Sequence, residues 1–219
     1  MKRRILIAGG TGLVGKQLLA ELAGLDGIDV HMVLRSQPVS HAACICQHVG
    51  ATESWPMIIR ELKPDVVISC LGTTMKTAGS QAAFRAVDYD LVVAFAQAAR
   101  EAGTRQFIAV SSVGASARSS NFYLKTKGEA EDAVRTLDFE RVDFLRPGLL
   151  TGGKRSENRL GETVAALFSP VTDLLLAGPL SKFRSTSSSK VAQSIVTLAL
   201  GGGHGRFIHE NDSINALSG

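Results

Sequence analysis

The chain has 219 residues, 45% of them apolar and 20% charged, which suits one packed domain at roughly 100–200 residues per domain and excludes a disordered chain. Gly outnumbers Pro by 22 to 6, which excludes collagen-like and Pro-rich classes, and three Cys exclude a disulfide scaffold. The formal charge of +4 comes without a long Lys/Arg run or interleaved aromatics, so an anionic small ligand is expected rather than nucleic acid.

Residues 5–8 (ILIA) form a short apolar run, the mark of a strand buried on both faces. Lys2, Arg3 and Arg4 before it imitate a signal peptide, but Gly9, Gly10, Thr11 and Gly12 cut the apolar stretch short. No run reaches the ~20 residues of a membrane span, and the expectation is a cytoplasmic protein with no membrane contact. Residues 13–23 read as a helix, with Val14, Leu18 and Leu22 at i+4 spacing and Gly24 as its stop. A second strand over 28–34 completes a β-α-β unit. A short third strand is expected over 43–46, a helix over 55–62 and a buried strand over 65–70. Ser80 can cap a long helix with Phe84, Val87, Leu91, Phe95 and Ala98 on one face and Gly103 at its end. Residues 107–110 read as a strand running into Ser111 and Ser112, and 121–137 as a helix. A strand over 142–145 stops at Pro147 and Gly148, a helix covers 191–200, and 207–208 mark a last strand. This alternation predicts an α/β fold, a doubly wound parallel sheet of Rossmann type in a single domain over 1–219. The irregular stretch 151–189 is expected to be a small C-terminal substrate-side insertion.

The segment Gly9-Gly10-Thr11-Gly12-Leu13-Val14-Gly15 satisfies GxGxxG at 10, 12 and 15, and GxxGxxG at 9, 12 and 15. Such a loop needs a tight turn, a backbone without Cβ near a pyrophosphate, and close packing of helix on strand. The helix start then offers free N–H groups and a partial positive charge. An ordinary Gly-rich turn is the alternative, but the place between strand and helix favours a phosphate cradle made of Gly9, Thr11, Gly12, Leu13, Val14 and Gly15. Binders of NAD carry an acid about 20 residues further on. Here Arg35 stands there, while Asp29 falls at the strand's start. Arg35 with Ser36 suits the 2′-phosphate of NADP, so NADP is expected ahead of NAD; a solvated Arg at a strand end is the bland alternative.

Tyr123 and Lys127 stand one helical turn apart, and Ala130 and Val134 continue their face inward. A phenol with a pKa near ~10 is a poor acid at neutral pH, and a neighbouring ammonium lowers that pKa. The pair can then handle the proton that accompanies a hydride. YxxxK alone is common on solvated helices; its order after the glycine loop and the strand-end serines makes chance a poor account. The segments AGGTGLVG (8–15), CLGTT (70–74), AGSQAAFRAVDYD (78–90), VSSVGA (110–115), SNFYLKTKGEAE (120–131) and LRPGLLTG (145–152), with Arg35, span about two thirds of the chain. Together they resemble the short-chain dehydrogenase/reductase superfamily. More narrowly, they look like its atypical subgroup related to the Tat-interacting oxidoreductase-like proteins, often labelled NAD(P)-dependent epimerase/dehydratase-like. The resemblance implies that Ser112, with Ser111 second, binds a carbonyl, Tyr123 is the acid/base, and Lys127 holds the nicotinamide ribose and tunes Tyr123. It implies that Leu71, Gly72, Thr73, Pro147 and Gly148 line the cofactor. An NADP-dependent oxidoreductase with a small carbonyl or alcohol substrate follows. Two alternatives stay open: an NADP(H)-sensing regulatory protein with little turnover, and an epimerase or dehydratase with bound cofactor. Homodimers are common in the superfamily.

Other residues suggest little. Cys44-Ile-Cys46-Gln-His48 imitates a metal corner but lacks a second ligand pair, and His31, His41, His204 and His209 have no ligand spacing, so no metal is expected. Cys70 and Trp55 read as packing residues.

Overall fold

The structure is a computed structural model that describes residues 2–36, 44–152 and 184–219. Its elements, in chain order, are β1 (Arg3–Ala8), α1 (Leu13–Leu22), β2 (Ile28–Leu34), β3 (Ile45–Val49), α2 (Trp55–Leu62), β4 (Val66–Ser69), α3 (Met75–Ala78) and α4 (Gln81–Arg85). There follow α5 (Val92–Glu101), β5 (Gln106–Val110), α6 (Phe122–Arg135), β6 (Arg141–Leu145), β7 (Leu150–Thr151), β8 (Thr186–Ser187), α7 (Ser188–Leu200), β9 (Gly205–His209) and α8 (Asn211–Leu217).

Seven strands form one parallel sheet in the order β3-β2-β1-β4-β5-β6-β9, and β7 pairs with β8 apart from it. Alternate side chains of each central strand enter two cores. Ile5, Ile7, Val30 and Met32 meet Leu18 and Leu22 of α1 and Val191 and Ile195 of α7 on one face. Leu6, Val33, Val67 and Phe107 meet Trp55, Ile59, Phe95 and Val134 on the other, from α2, α5 and α6. Helices on both faces explain why the central strands read as unbroken apolar runs. The doubly wound parallel sheet expected from the sequence is present. The chain winds outward from β1 in both directions, which opens a crevice beyond the carboxyl ends of β1 and β4.

Several elements differ from the sequence reading. The third strand lies at Ile45–Val49 rather than 43–46, because it is an edge strand with only Ile45 buried and so carries no apolar run. The long helix expected after Ser80 is interrupted by a π-helical turn, Ala86–Leu91, between α4 and α5. Helices α3 and α8 were not expected at all. Most of the proposed insertion, 153–183, lies outside the described residues; its two ends carry β7 and β8. Among the described residues no helix is long and apolar enough to cross a membrane.

Candidate functional site

The glycine loop follows β1 directly. Gly9 has φ +82°, which a side chain rarely tolerates, and a Cβ there would come within 2.5 Å of the Cys70 carbonyl at the end of β4. A Cβ on Gly15 would overlap the Gly9 oxygen and Gly10 Cα, so the first turn of α1 rests on the loop. Gly12 has ordinary extended backbone (φ −74°, ψ 180°), and a Cβ on it would meet only the Gly9 oxygen, at 3.3 Å. Its outer side is open. Lys16 N donates to Gly12 O at 3.0 Å, so the amides of Leu13, Val14 and Gly15 precede the first bonded turn of α1. No acidic residue occupies that turn. Thr11 is exposed beside it. These amides, the clear space over Gly12 and the absence of local negative charge fit a phosphate group. Arg35 and Ser36 are exposed at the carboxyl end of β2, two and three residues past Val33, which pairs with Ala8.

Asn121 caps α6 by accepting from Leu124 N at 3.1 Å. Tyr123 is half-buried, its ring 5.5 Å from that of Phe84. One turn on, Lys127 is buried, and its Nζ lies 2.7 Å from Asp88 Oδ1 in the π turn. The other Asp88 oxygen accepts from Thr73 N at 2.8 Å. A Cβ on Gly72 would stand 3.4 Å from both Lys127 Nζ and Asp88 Oδ1. Burial pulls the Lys127 pKa down, but Asp88 and, after it, Tyr123 outweigh burial and hold it above the ordinary lysine value. Lys127 is thus an ammonium at neutral pH, inside the protein and beside a phenol.

The two serines after β5 part company. Ser111 Oγ donates to Glu131 Oε1 at 2.6 Å, and Arg146 and Arg135 engage the same carboxylate. Ser112 Oγ makes only a 3.4 Å contact with the neighbouring Val113 carbonyl among the described residues, so its hydroxyl is the freer one. Val113 N donates to Pro147 O at 3.0 Å, which ties this loop to the turn at Pro147 and Gly148. Gly128, which the sequence reading passed over, lets the loop approach: a Cβ there would overlap the backbone of Ser116 and Ala117. Gly72 and Thr73 gather with Asp88 and Lys127, while Leu71 packs against the core on the α2 side. Asp88 was missed. The signal was available: it stands four residues after Phe84 and seven before Phe95, an acid in an apolar stripe. Cys70, half-buried behind Gly9, has its thiol pushed up to about 12 by burial, so it packs rather than reacts.

A sequence profile of the family described as NAD(P)H-binding matches residues 9–200. The protein FMP52, mitochondrial, of Coccidioides immitis is 34% identical over 208 residues, covering 89% of this chain and 84% of the relative. Its namesake in Meyerozyma guilliermondii is 38% identical over 181 residues, covering 81% and 78%. Among solved structures, Bordetella bronchiseptica WbmG in complex with NAD superposes with a TM-score of 0.68 at 18% identity, covering 96% of this chain and 73% of that one. UDP-glucose 4-epimerase of Thermotoga maritima gives 0.70 at 15% identity, covering 95% and 77%. dTDP-4-dehydrorhamnose reductase of Bacillus anthracis in complex with NADP gives 0.64 at 17%, covering 96% and 75%. These structures share the fold. The mitochondrial names of the fungal relatives overturn the cytoplasmic expectation: charge and hydropathy separate membrane from water, not one aqueous compartment from another.

Proposed function

The chain belongs to the NAD(P)H-binding family, and from that premise we propose an NADP(H)-dependent oxidoreductase of the short-chain dehydrogenase/reductase type, acting on a small carbonyl or alcohol. The bound nicotinamide supplies or accepts the hydride. The chain's own residues bind, orient and move the proton. The amides of Leu13, Val14 and Gly15, with the loop at Gly9, Thr11 and Gly12, hold the pyrophosphate. Arg35 and Ser36 hold the 2′-phosphate through charge-assisted hydrogen bonds. Leu71, Gly72, Thr73, Pro147 and Gly148 line the nicotinamide half.

Tyr123 gives its hydroxyl proton to the carbonyl oxygen in reduction and takes it back in oxidation. Lys127 favours the phenolate by its charge and has N–H groups left for the ribose after pairing with Asp88. Ser112 donates to the carbonyl oxygen and fixes its place. The observation that carries this reading is the buried ammonium of Lys127, one turn from Tyr123, held by a carboxylate that also grips the Thr73 segment. A protein that only senses the cofactor needs no buried cation beside a phenol.

The test is NADPH oxidation against a panel of carbonyl compounds, in the wild type and in Tyr123→Phe. Turnover is expected in the wild type and should fall roughly 10²–10⁴-fold in the variant, with cofactor affinity and stability unchanged. Tight NADPH binding with no turnover across the panel, or full activity in Tyr123→Phe, would replace the enzyme with a cofactor-sensing protein.

A further inference from the structure

On the α2 side of the sheet, away from the cofactor crevice, side chains of β2 and β3 converge. Asp29 and His31 point to one face of β2, and Cys46 and His48 to the same face of β3, with His31 directly opposite Cys46 in the parallel register. One donor atom each from Asp29, His31 and Cys46 lies within 4.8 Å of the others. His31 Nδ1 is 3.0 Å from His48 Nε2. The site stands four residues before Arg35, roughly 13 Å back along the strand at ~3.3 Å per residue.

The His31 ring carries the argument. Its side chain is only 10% exposed, and its Nε2 lies 3.0 Å from Asp29 Oδ2. Yet Nε2 has no aligned hydrogen-bond partner. The Nδ1–His48 contact can be made with the proton on either ring; when Nδ1 carries it, the Nε2 lone pair faces the half-exposed Asp29 carboxylate, the protonation state in which an imidazole and a carboxylate can share a cation. Arg4 Nε forms an ion pair with the same Asp29 oxygen at 3.7 Å, beyond hydrogen-bond length.

We propose that Asp29, His31 and Cys46 bind one divalent cation of borderline softness, for which Zn²⁺ is the best match to an imidazole, thiolate and carboxylate set. His48 orients the His31 ring and fixes its tautomer, the usual part of an outer partner to a ligating imidazole. Cys46 is exposed, and water completes the four-coordinate shell. Binding releases the Cys46 thiol proton to solvent. The ion clamps the edge strand β3 to β2. The linear spacing of Cys44, Cys46 and His48 conceals this site because two of its three protein ligands, Asp29 and His31, come from the neighbouring strand.

The test uses the full chain, stripped with chelator and titrated with Co²⁺, then with Zn²⁺. The expected result is one Co²⁺ per chain, with visible d–d bands of a four-coordinate ion and a near-ultraviolet thiolate charge-transfer band, both abolished by Zn²⁺. Cys46→Ser should lose the charge-transfer band, and Cys44→Ser should keep it. His48→Gln should weaken affinity roughly 10–100-fold. His31→Gln should abolish binding; should that buried substitution fail to fold, the exposed Cys46→Ser still decides. No saturable binding in the wild type, or a charge-transfer band that survives Cys46→Ser or vanishes in Cys44→Ser, overturns the proposal.

Discussion

Two buried carboxylates, Asp88 and Asp143, are both fully removed from solvent and both paired with a cation, yet their surroundings differ. Asp143 in β6 accepts four hydrogen bonds: Oδ1 from Arg141 Nη2 (3.0 Å) and His209 Nε2 (2.9 Å), Oδ2 from Arg141 Nε (2.7 Å) and Gln106 Nε2 (3.0 Å). A carboxylate has about four acceptor positions, so this group is saturated. Asp88 meets one amide and one ammonium, and that ammonium keeps donors unused among the described residues. A saturated network joins strands β5, β6 and β9. An unsaturated one at the carboxyl end of the sheet leaves bonding capacity for something that arrives. The contrast marks Asp143 as an internal brace and fits Asp88 and Lys127 to the proposed binding role, where burial alone does not tell the two apart.

The largest expected effect breaks the brace. Asp143→Ala strands Arg141, Gln106 and His209 together and should cost about 3–5 kcal/mol in denaturant unfolding, with cofactor affinity unchanged in the folded fraction. Burial alone would raise the Asp143 pKa; His209, Arg141 and Gln106 outweigh it and hold the carboxyl below its usual range. Its contribution is therefore present above pH ~3.9 and is lost as pH falls through the lowered native value. Lys127, with its pKa raised, behaves in the opposite sense: its contribution is full below pH ~10.4 and is lost as pH climbs through the raised native value. Acid and alkaline unfolding curves of Asp143→Asn and Asp88→Asn should each flatten at one end of the scale only.

The next effect separates stability from binding. Lys127→Met leaves Asp88 buried and uncompensated and should destabilise by a few kcal/mol; adding Asp88→Leu should restore most of that loss. NADPH affinity, measured by titration, should fall in the single variant and stay low in the double. If the double variant binds normally, the pair at Asp88 is only a second brace. The smallest effect concerns the far end of the cofactor. Arg35→Asp should lower NADPH affinity by roughly 10–100-fold, the value of a lost charge-assisted contact of ~1.5–3 kcal/mol, and raise NADH affinity. Equal affinities of the wild type for both cofactors would remove Arg35 from the site.

How much of this is legible in the residue string depends on where each signal lies. Strands β1 and β2 and helix α1 are read nearly to their ends, because β1 carries an unbroken apolar run, most of β2 is apolar, and Gly9 to Gly15 punctuate the turn. Strand β3 is displaced in the reading, since an edge strand such as ICQHV exposes most of its residues and hides its period. The break at Ala86–Leu91 cannot be seen in propensity; it exists where Asp88 must reach both Thr73 and Lys127. Tyr123 and Lys127 are local, one turn apart, and so were visible. The diversion of Ser111 to Glu131, the pairing of Lys127 with Asp88 and the meeting of His31 with Cys46 join distant residues, and only the folded chain brings them together.

Gly128 carries a mechanical consequence. The backbone of Ser116 and Ala117 lies in the space its missing methyl would fill, and Ser116 N also donates to Leu124 O at 3.1 Å. The segment that bears Ser112 and the helix that bears Tyr123 are therefore laminated into one plate. The spacing of that segment from the helix is gauged by an atom that is not there. Enlarging residue 128 delaminates the plate while every side chain of the proposed site stays chemically intact, and under the proposed reaction a displacement of about 1 Å can cost on the order of 10²-fold in rate. Tolerance at this position is set by a clearance, and a chain that lost activity there would look, residue by residue, as though nothing essential had changed.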